Sequence, residues 1–346
     1  MLRYLTAGES HGRALLAILE GIPAGLRVKV SRINQEMRRR QEGYGRGKRM
    51  QIEKDKADII SGLKNNLTLG SPIGIMIKNR DFSIERLPKV IRPRPGHADL
   101  AGLLKYGFYD IRSVLERASA RETAARVAIG AICKIFLEGF RIRIASRVLA
   151  IGGSSNKVQI RKVIDQAREK KDTVGGIFQV RAKGVIPGLG SYVQPDRRLD
   201  SCFIQAIASI PGIKAVEVGL GFGYADKLGS QVHDTIYYSR SKGFYRKTNN
   251  AGGIEGGVSN GEDIVLSACM KPISTLLAPL DSVDIKTKKK ARASIERSDI
   301  CVVEAAGVIA EALVAIELAR AFLDKFGSDA LGDIKVSYGN YLKRLR

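Results

Sequence analysis

The chain has 346 residues, 44% of them hydrophobic and 27% charged, which places it among folded globular proteins and excludes a disordered or fibrous chain. Lysine and arginine number 58 against 35 acidic residues, a formal charge of +23 that fits nucleic acid, a polyanionic small molecule or a basic bias of the source. No apolar run reaches membrane length, since the longest, Ala305 to Leu318, is broken by Glu311 and Glu317.

The first ten residues carry no signal-peptide core. Cys133, Cys202, Cys269 and Cys301 are far apart, have apolar neighbours and form no metal-ligand pair. They read as reduced thiols in a cytoplasmic protein. Aromatics make up 6% and tryptophan is absent, which leaves little equipment for stacking on bases.

Leu2 to Thr6 and Leu15 to Leu19 read as strands joined by the turn Gly8-Glu-Ser-His-Gly12, where glycine lets the backbone approach a ligand. Ser10 and His11 stand on that turn. Ser31 is placed to cap a short helix with Ile33 and Met37 on its buried side. The helix ends in Arg38, Arg39 and Arg40 and runs into a glycine-rich cationic loop, Gln41 to Arg49. That loop lacks P-loop spacing and has no Ser or Thr after Lys48. It reads as a solvated basic face or as a lid over an anionic ligand. Residues 50–61 and 72–78 read as strands connected through Gly62 to Gly70.

Next, His97 lies in the turn Arg94-Pro-Gly-His-Ala-Asp99. Ser119 and Glu122 have the spacing of a capping box. Ala124, Val127, Ala128, Ala131, Ile132 and Ile135 then form an apolar stripe at helical spacing. Gly130 inside this helix costs about 0.5–1 kcal/mol against alanine, so close packing on another element is expected to offset it. Arg117 and Arg121 flank a helix start whose free N–H groups and positive dipole end suit a phosphate. An ordinary capped core helix with solvated arginines is the plainer alternative.

Farther along, Ile142 to Ile151 reads as strand, Lys157 to Lys171 as a polar helix, Phe178 to Val185 as strand, Leu199 to Ile210 as a capped helix and Ile213 to Phe222 as strand. Neither Gly219-Leu-Gly-Phe-Gly223 nor the glycine-dense Asn249 to Gly257 has dinucleotide-binding spacing. A strand from Ile264 to Cys269 leads into Lys271-Pro-Ile-Ser-Thr275, whose lysine and hydroxyls can grip a phosphate or a polar heterocycle. Lys286 to Arg292 reads as a charged tether or edge strand. A second alanine-rich helix, Val303 to Phe326, follows Arg297-Ser-Asp299. Ile60-Ser-Gly-Leu-Lys-Asn and Glu255-Gly-Gly-Val-Ser-Asn each precede a strand, a hint of two related halves.

The chemistry narrows to two histidines in glycine-containing turns, His11 and His97, and a set of cationic loops. No metal-ligand spacing and no Gly-x-Ser-x-Gly elbow occurs. His233, the third histidine, sits outside these turns and reads as structural.

Three ordered segments resemble the motifs of the chorismate synthase family. They are Gly8-Glu-Ser-His-Gly12 running on to Glu20-Gly-Ile-Pro23, Glu116-Arg-Ala-Ser-Ala-Arg-Glu-Thr123, and Arg297-Ser-Asp-Ile-Cys301 leading to Ala310-Glu311. Arg46-Gly-Lys-Arg-Met-Gln-Ile-Glu-Lys54, Arg94 to Asp99, Asn250-Ala-Gly-Gly253 and Lys271 to Thr275 also look like that family. The likeness covers nearly the whole chain.

The resemblance implies an α+β fold, a β-α-β sandwich with an internal pseudo-twofold and two sheets around the long alanine-rich helices. It implies a single domain over residues 1–346, in a homotetramer. It further implies a lyase of the shikimate pathway and aromatic amino acid biosynthesis. That enzyme converts 5-enolpyruvylshikimate 3-phosphate to chorismate and phosphate by 1,4-anti elimination and requires reduced FMN, with no net redox change. His11 would protonate the departing phosphate, and His97 would donate to the flavin. Asp299, paired with Ser10, would help move the substrate proton towards flavin N5. The implied flavin contacts are Arg117, Ala118, Ser119, Gly256, Lys271, Pro272, Ile273, Ser274, Thr275 and Arg297, with Pro211 and Gly212 standing where relatives carry Asn-Ala. Arg40 and Arg46 match positions for phosphate-bearing ligands, either the substrate or, in bifunctional members, NADPH. A monofunctional member would depend on a flavin reductase. The chain is shorter than typical members, chiefly before Arg92, and Glu304 stands where many have proline. Charge alone supports one competing reading, a basic RNA-binding protein.

Overall fold

A computed structural model describes residues 1–47, 53–241 and 243–345. Lys48, Arg49 and the start of the strand expected over 50–61 lie outside the described residues. Strand β1 (Arg3–Ala7) pairs antiparallel with β2 (Ala14–Glu20). The period of two sends Leu15, Ala17 and Leu19 inward and leaves Leu16 and Ile18 exposed. Helix α1 (Val30–Gln41) follows, with Ile33, Met37 and Arg40 on its buried face. The strand β3 (Asp58–Ile59), the hairpin β4 (Leu63–Lys64) with β5 (Leu67–Thr68), and β6 (Ile73–Lys78) complete a sheet of order β1-β2-β6-β3.

Two short helices, α2 (Asp99–Tyr106) and α3 (Arg112–Ala118), and a 3-10 turn over Ala120–Glu122 lead into α4 (Thr123–Glu138). The chain then builds β7 (Arg143–Ile151), α5 (Lys157–Glu169), β8 (Gly176–Lys183), α6 (Leu199–Ala208) and β9 (Ile213–Val218). After a one-turn helix α7 (Gly229–Val232) come the hairpins β10 (Ile236–Ser239) with β11 (Gly243–Arg246), and β12 (Ile254–Glu255) with β13 (Val258–Ser259). Strand β14 (Ile264–Met270) completes a second sheet of order β7-β8-β14-β9, antiparallel throughout. A hairpin of β15 (Asp281–Val283) and β16 (Lys290–Arg292) precedes α8 (Val303–Phe326) and α9 (Leu331–Arg344).

The two sheets share a plan. In each, the fourth strand lies between the second and third, a helix (α1 or α6) joins the second strand to the third, and a two-stranded hairpin directly precedes the fourth. Helices α4 and α8 pack on each other; α4 also touches β1, β2 and β6, while α8 touches β7 and β8. Both helices are buried nearly all round, which explains their small-residue composition. At their crossing, a Cβ on Gly130 would lie 2.4 Å from Ala312 Cβ and 2.6 Å from Ala312 O, so the expected close packing is present.

The same core holds one fully buried carboxylate. Glu311 accepts two bonds from Arg39 at 2.8 Å, one from Lys134 at 2.5 Å, and bonds from the Ser146 amide and hydroxyl. Burial alone would raise its pKa, but Arg39 and Lys134 outweigh that and bring it down to about 2.

Local capping differs from expectation in three places. Helix α1 begins one residue before Ser31, with Lys29 at its N-cap and no side-chain cap. Helix α6 likewise starts after Arg198 without a side-chain cap. Ser119 does cap, accepting from Arg121 N at 3.2 Å, but it caps the 3-10 turn, and Glu122 does not close a box. The Glu122 carboxylate is taken instead by Thr6 Oγ1 at 2.8 Å and Arg126 Nε at 2.9 Å. Of the strand expected over 50–61, the described residues 53–61 form only β3. The segment before it hydrogen-bonds to side chains of α1, Asp55 N to Gln41 and Ala57 N to Asn34, rather than to a neighbouring strand.

Candidate active site

One cavity of about 590 Å³ draws its walls from seven separate segments, from the Gly8–Gly12 turn to the start of α8. That size suits a cofactor or small-molecule site. All but two of the expected site residues line it. Ser10, His11, His97 and Asp299 do, as do Arg40 and Arg46. So do Ala118, Ser119, Pro211, Gly212, Arg297 and the run Lys271, Pro272, Ile273, Ser274 and Thr275.

Arg117 and Gly256 are not among the lining residues. Arg117 is exposed, and its guanidinium is bound to Gly8 O, Thr6 O and Thr6 Oγ1, each at 3.0 Å. It therefore secures the β1–β2 turn from outside. Gly256 lies in the β12–β13 turn, which rests on the segment around Gly190 and Leu199 through the Gly190–Val258 bridge and the bond from Leu199 N to Gly257 O. His233 is exposed and does not line the cavity either.

The turn bearing Ser10 and His11 is pinched. Gly8 has φ +104°, and a Cβ there would sit 2.4 Å from Ala14 O, so only glycine fits. Asn79 Nδ2 donates to Glu9 O and Gly12 O, and Ser10 N donates to Glu116 O at 2.8 Å. Both oxygens of Glu116 engage His11: the amide donates to Oε2 at 2.7 Å, and Nδ1 lies 2.9 Å from Oε1. Glu116 is buried, which opposes its charge, yet these bonds with nearby Arg112 hold it below the usual carboxylate range.

His97 has a parallel arrangement. Its Nδ1 lies 2.5 Å from Asp99 Oδ1. Asp99 also accepts from Arg94 Nε and Nη2 at 2.9 and 3.0 Å, and Arg94 Nη1 donates to Thr275 Oγ1 at 2.6 Å. Burial opposes the charge on Asp99, but His97 and Arg94 keep it well below its ordinary range. An ionised carboxylate can only accept, so Nδ1 of each imidazole carries the proton, leaving Nε2 to meet a ligand. Neither carboxylate was given a role from sequence. Asp99 had a signal, standing two residues from His97; Glu116 is remote from His11 in the chain and had none.

A second cluster supplies positive charge. Arg40 is buried, with Nε on Thr123 Oγ1 and Nη2 on Ala120 O, both at 2.9 Å. Burial, with Arg121 and Arg46 close by, pushes it down to about 10 despite Asp55. Three of its ion pairs are stretched: Arg40–Asp55 at 3.5 Å, Arg46–Asp299 at 3.4 Å and Arg121–Glu53 at 3.7 Å. Arg40 Nη1, Arg46 Nε and Arg121 Nη2 are buried with no hydrogen-bond acceptor among the described residues. Asp55 Oδ2, facing Arg40 Nη1, is likewise without a hydrogen-bond partner among the described residues, and Arg121 Nη2 faces Glu53, so the cluster is a loosely paired set of cations and carboxylates beside the cavity. The Lys271 loop adds a further cation, with Lys271 Nζ bound to Gly96 O and Ser274 Oγ.

The loop read as a lid is fastened along its described part. Gly47 N donates to Asp299 Oδ1 at 2.5 Å, Ile300 N donates to Gly45 O at 2.8 Å, and Tyr44 Oη reaches Asp165 on α5. Gly43 abuts Glu304, the residue that stands where many relatives carry proline. Asp299 is thus engaged with Gly47 and Arg46, while Ser10 Oγ donates to Ser119 Oγ at 3.2 Å.

Comparison with known proteins shows which family the chain resembles along its length. The family model for chorismate synthase matches residues 2–323. A chorismate synthase of Thermoanaerobacter pseudethanolicus is 53% identical over 344 residues, covering 99% of this chain and 98% of that protein. One from Geobacter sulfurreducens is 49% identical with full coverage of both chains. A crystal structure of chorismate synthase superposes with a TM-score of 0.82 at 42% identity, covering 99% of this chain and 98% of that one. These matches leave the RNA-binding alternative, which rested on charge, without support. The chain belongs to the chorismate synthase family, the lyases of the shikimate pathway that convert 5-enolpyruvylshikimate 3-phosphate to chorismate and phosphate.

Proposed function

We propose that this cavity seats substrate and reduced FMN together, with His11 delivering a proton to the departing phosphate. The observation carrying the proposal is the pair of part-buried imidazoles that line one cavity, each with Nδ1 on a carboxylate. The residues present fit a flavin. Ile210, Pro211, Met270, Pro272 and Ile273 offer an apolar wall for a ring, while the guanidiniums of Arg40, Arg46 and Arg121 suit anionic groups. When bound, reduced FMN supplies electron density transiently to the elimination and recovers it.

The chain's own residues do the rest. As the C–O bond to phosphate breaks, His11, carrying a proton on each ring nitrogen, gives the Nε2 proton to the leaving oxygen and is left as the neutral Nδ1–H ring that Glu116 holds. Ser10 and Asp299 help carry away the proton lost from the substrate. His97, oriented by Asp99, holds its Nε2 towards the flavin. Ala118, Ser119, Pro211, Gly212, Arg297 and the Lys271 to Thr275 loop form the flavin contacts, and Arg40 and Arg46 hold phosphate-bearing ligands.

We read the shared strand order as the pseudo-twofold of a β-α-β sandwich spanning one domain. The exposed Leu5, Leu16 and Ile18 on the outer face of the first sheet support assembly into a homotetramer. The four free cysteines fit a reducing compartment such as the cytoplasm. Among the described residues, no helix is long and apolar enough to cross a membrane. Reduced flavin comes from a partner reductase, or from NADPH if the chain is bifunctional.

The test is anaerobic phosphate release from substrate and reduced FMN. His11→Ala should retain FMN binding and lose turnover by about 10²–10⁴-fold. Unchanged turnover would remove the role given to His11.

A further inference from the structure

We infer that Glu116 is a positioning residue that fixes the tautomer of His11, keeping the proton on Nδ1 and offering Nε2 to the ligand. The catalytic consequence rests on His11 acting on the substrate, as proposed above; the positioning itself does not.

The grip is unusually complete for one side chain. Glu116 Oε2 takes the His11 amide at 2.7 Å, Oε1 takes the ring at 2.9 Å, and its carbonyl takes the Ser10 amide. Backbone and ring of one residue therefore hold both carboxylate oxygens, so the carboxylate cannot rotate without breaking a bond. Glu116 is 4% exposed, so its carboxylate is held by protein donors and not by bulk solvent. The other charges facing His11 lie elsewhere. Asp81 is close enough to feel the imidazole but is occupied by Ser83 and Arg297, and Arg112 is bonded to Glu296.

Glutamine has the same size but one acceptor and one donor where glutamate has two acceptors. The His11 amide is a fixed donor and must keep the oxygen. The glutamine NH₂ then faces Nδ1, which can satisfy it only by accepting. The ring proton moves to Nε2, the nitrogen that faces the ligand. Glu116→Gln should therefore reverse the tautomer without opening a cavity. The Asp99–His97 pair in the same cavity is untouched by this change and serves as an internal control.

The test uses the full-length protein labelled with ¹³C,¹⁵N-histidine, which has only three imidazoles. Magic-angle-spinning NMR at alkaline pH, where imidazole is neutral, reads each tautomer. The expected result is Nδ1–H at His11 in the wild type, Nε2–H in Glu116→Gln, and no change at His97. Turnover should fall about a hundredfold with KM within about twofold, because an amide NH₂ facing Nδ1 opposes the doubly protonated ring that donates from Nε2. Glu116→Asp, which keeps two charged acceptors, should recover at least about tenfold of the loss. An unmoved His11 tautomer in Glu116→Gln overturns the inference, whether or not turnover falls. Wild-type turnover in Glu116→Gln, with His11→Ala impaired, also overturns it. If the tautomer reverses while His11→Ala turns over normally, the positioning stands and the role of His11 in proton delivery falls.

Discussion

Replacing Gly130 with alanine should destabilise this protein, the opposite of what helix propensity dictates. In an isolated helix the change would gain about 0.5–1 kcal/mol. Here the new methyl carbon would lie 2.4 Å from Ala312 Cβ, 2.5 Å from Ala312 Cα and 2.6 Å from Ala312 O. Ordinary carbon contacts sit near 3.5–4.0 Å, so α4 and α8 must part by about 1 Å. Overpacking of this kind costs roughly 1–3 kcal/mol, which leaves a net loss of about 1–2 kcal/mol after the propensity gain. The start of α4 carries Thr123 to the cavity, and α8 brings Ala305 and Ile309, so FMN affinity should fall as well. The assay is a urea midpoint at fixed protein concentration, with FMN titration alongside. Removing the facing methyl with Ala312→Gly should not rescue the variant, because two of the three clashes are with backbone. A Gly130→Ala midpoint equal to or above wild type would refute the reasoning.

Acid should weaken the fold through Glu311. Its carboxyl falls from an ordinary 4.5 to about 2 in the folded chain, so its stabilisation is present above pH 4.5 and is lost as pH falls from there towards 2. The shift corresponds to roughly 3 kcal/mol. Urea midpoints of wild type and Glu311→Gln should therefore differ at pH 7 and converge on acidification, and parallel curves would contradict the assignment. The two arginines also make opposite predictions. Arg117→Ala should leave FMN affinity within about twofold, because its guanidinium is bound to Thr6 and Gly8 outside the cavity. Arg40→Ala should weaken anionic ligands about 10–100-fold, the worth of charge-assisted bonds, as measured by equilibrium titration.

The long helices were legible in the chain because burial demanded a sustained apolar period, and Val303–Phe326 falls where the pattern places it. The polar helix α5 and the short α1 and α6 also fall where the pattern places them, but α2, α3 and α9 were not legible. Helix α9 buries only Ile334, and α2 and α3 run under or near two turns around a small satellite core, so each carries too few apolar positions to set a period. Ser119 and Glu122 had the right spacing for a box, but Thr6 and Arg126, distant or off the local pattern, claimed the carboxylate. At the site, the turn and loop residues were legible from local motifs. What local pattern could not supply was pairing across the chain: Glu116 with His11, Arg121 with Asp55, and Arg117 turned towards the first strand rather than the ligand.

Helix α8 lies within the last fifty residues, yet it touches α4, α1, α6 and both β7 and β8. During synthesis, everything that rests on it must wait. A nascent chain lacking residues 303–326 leaves the inward side of the second sheet and the Gly130 face of α4 without cover, and Leu2 O without Arg320. The core can close only once residues through Phe326 have left the ribosome, so truncations that reach back into α8 remove the interior rather than an edge.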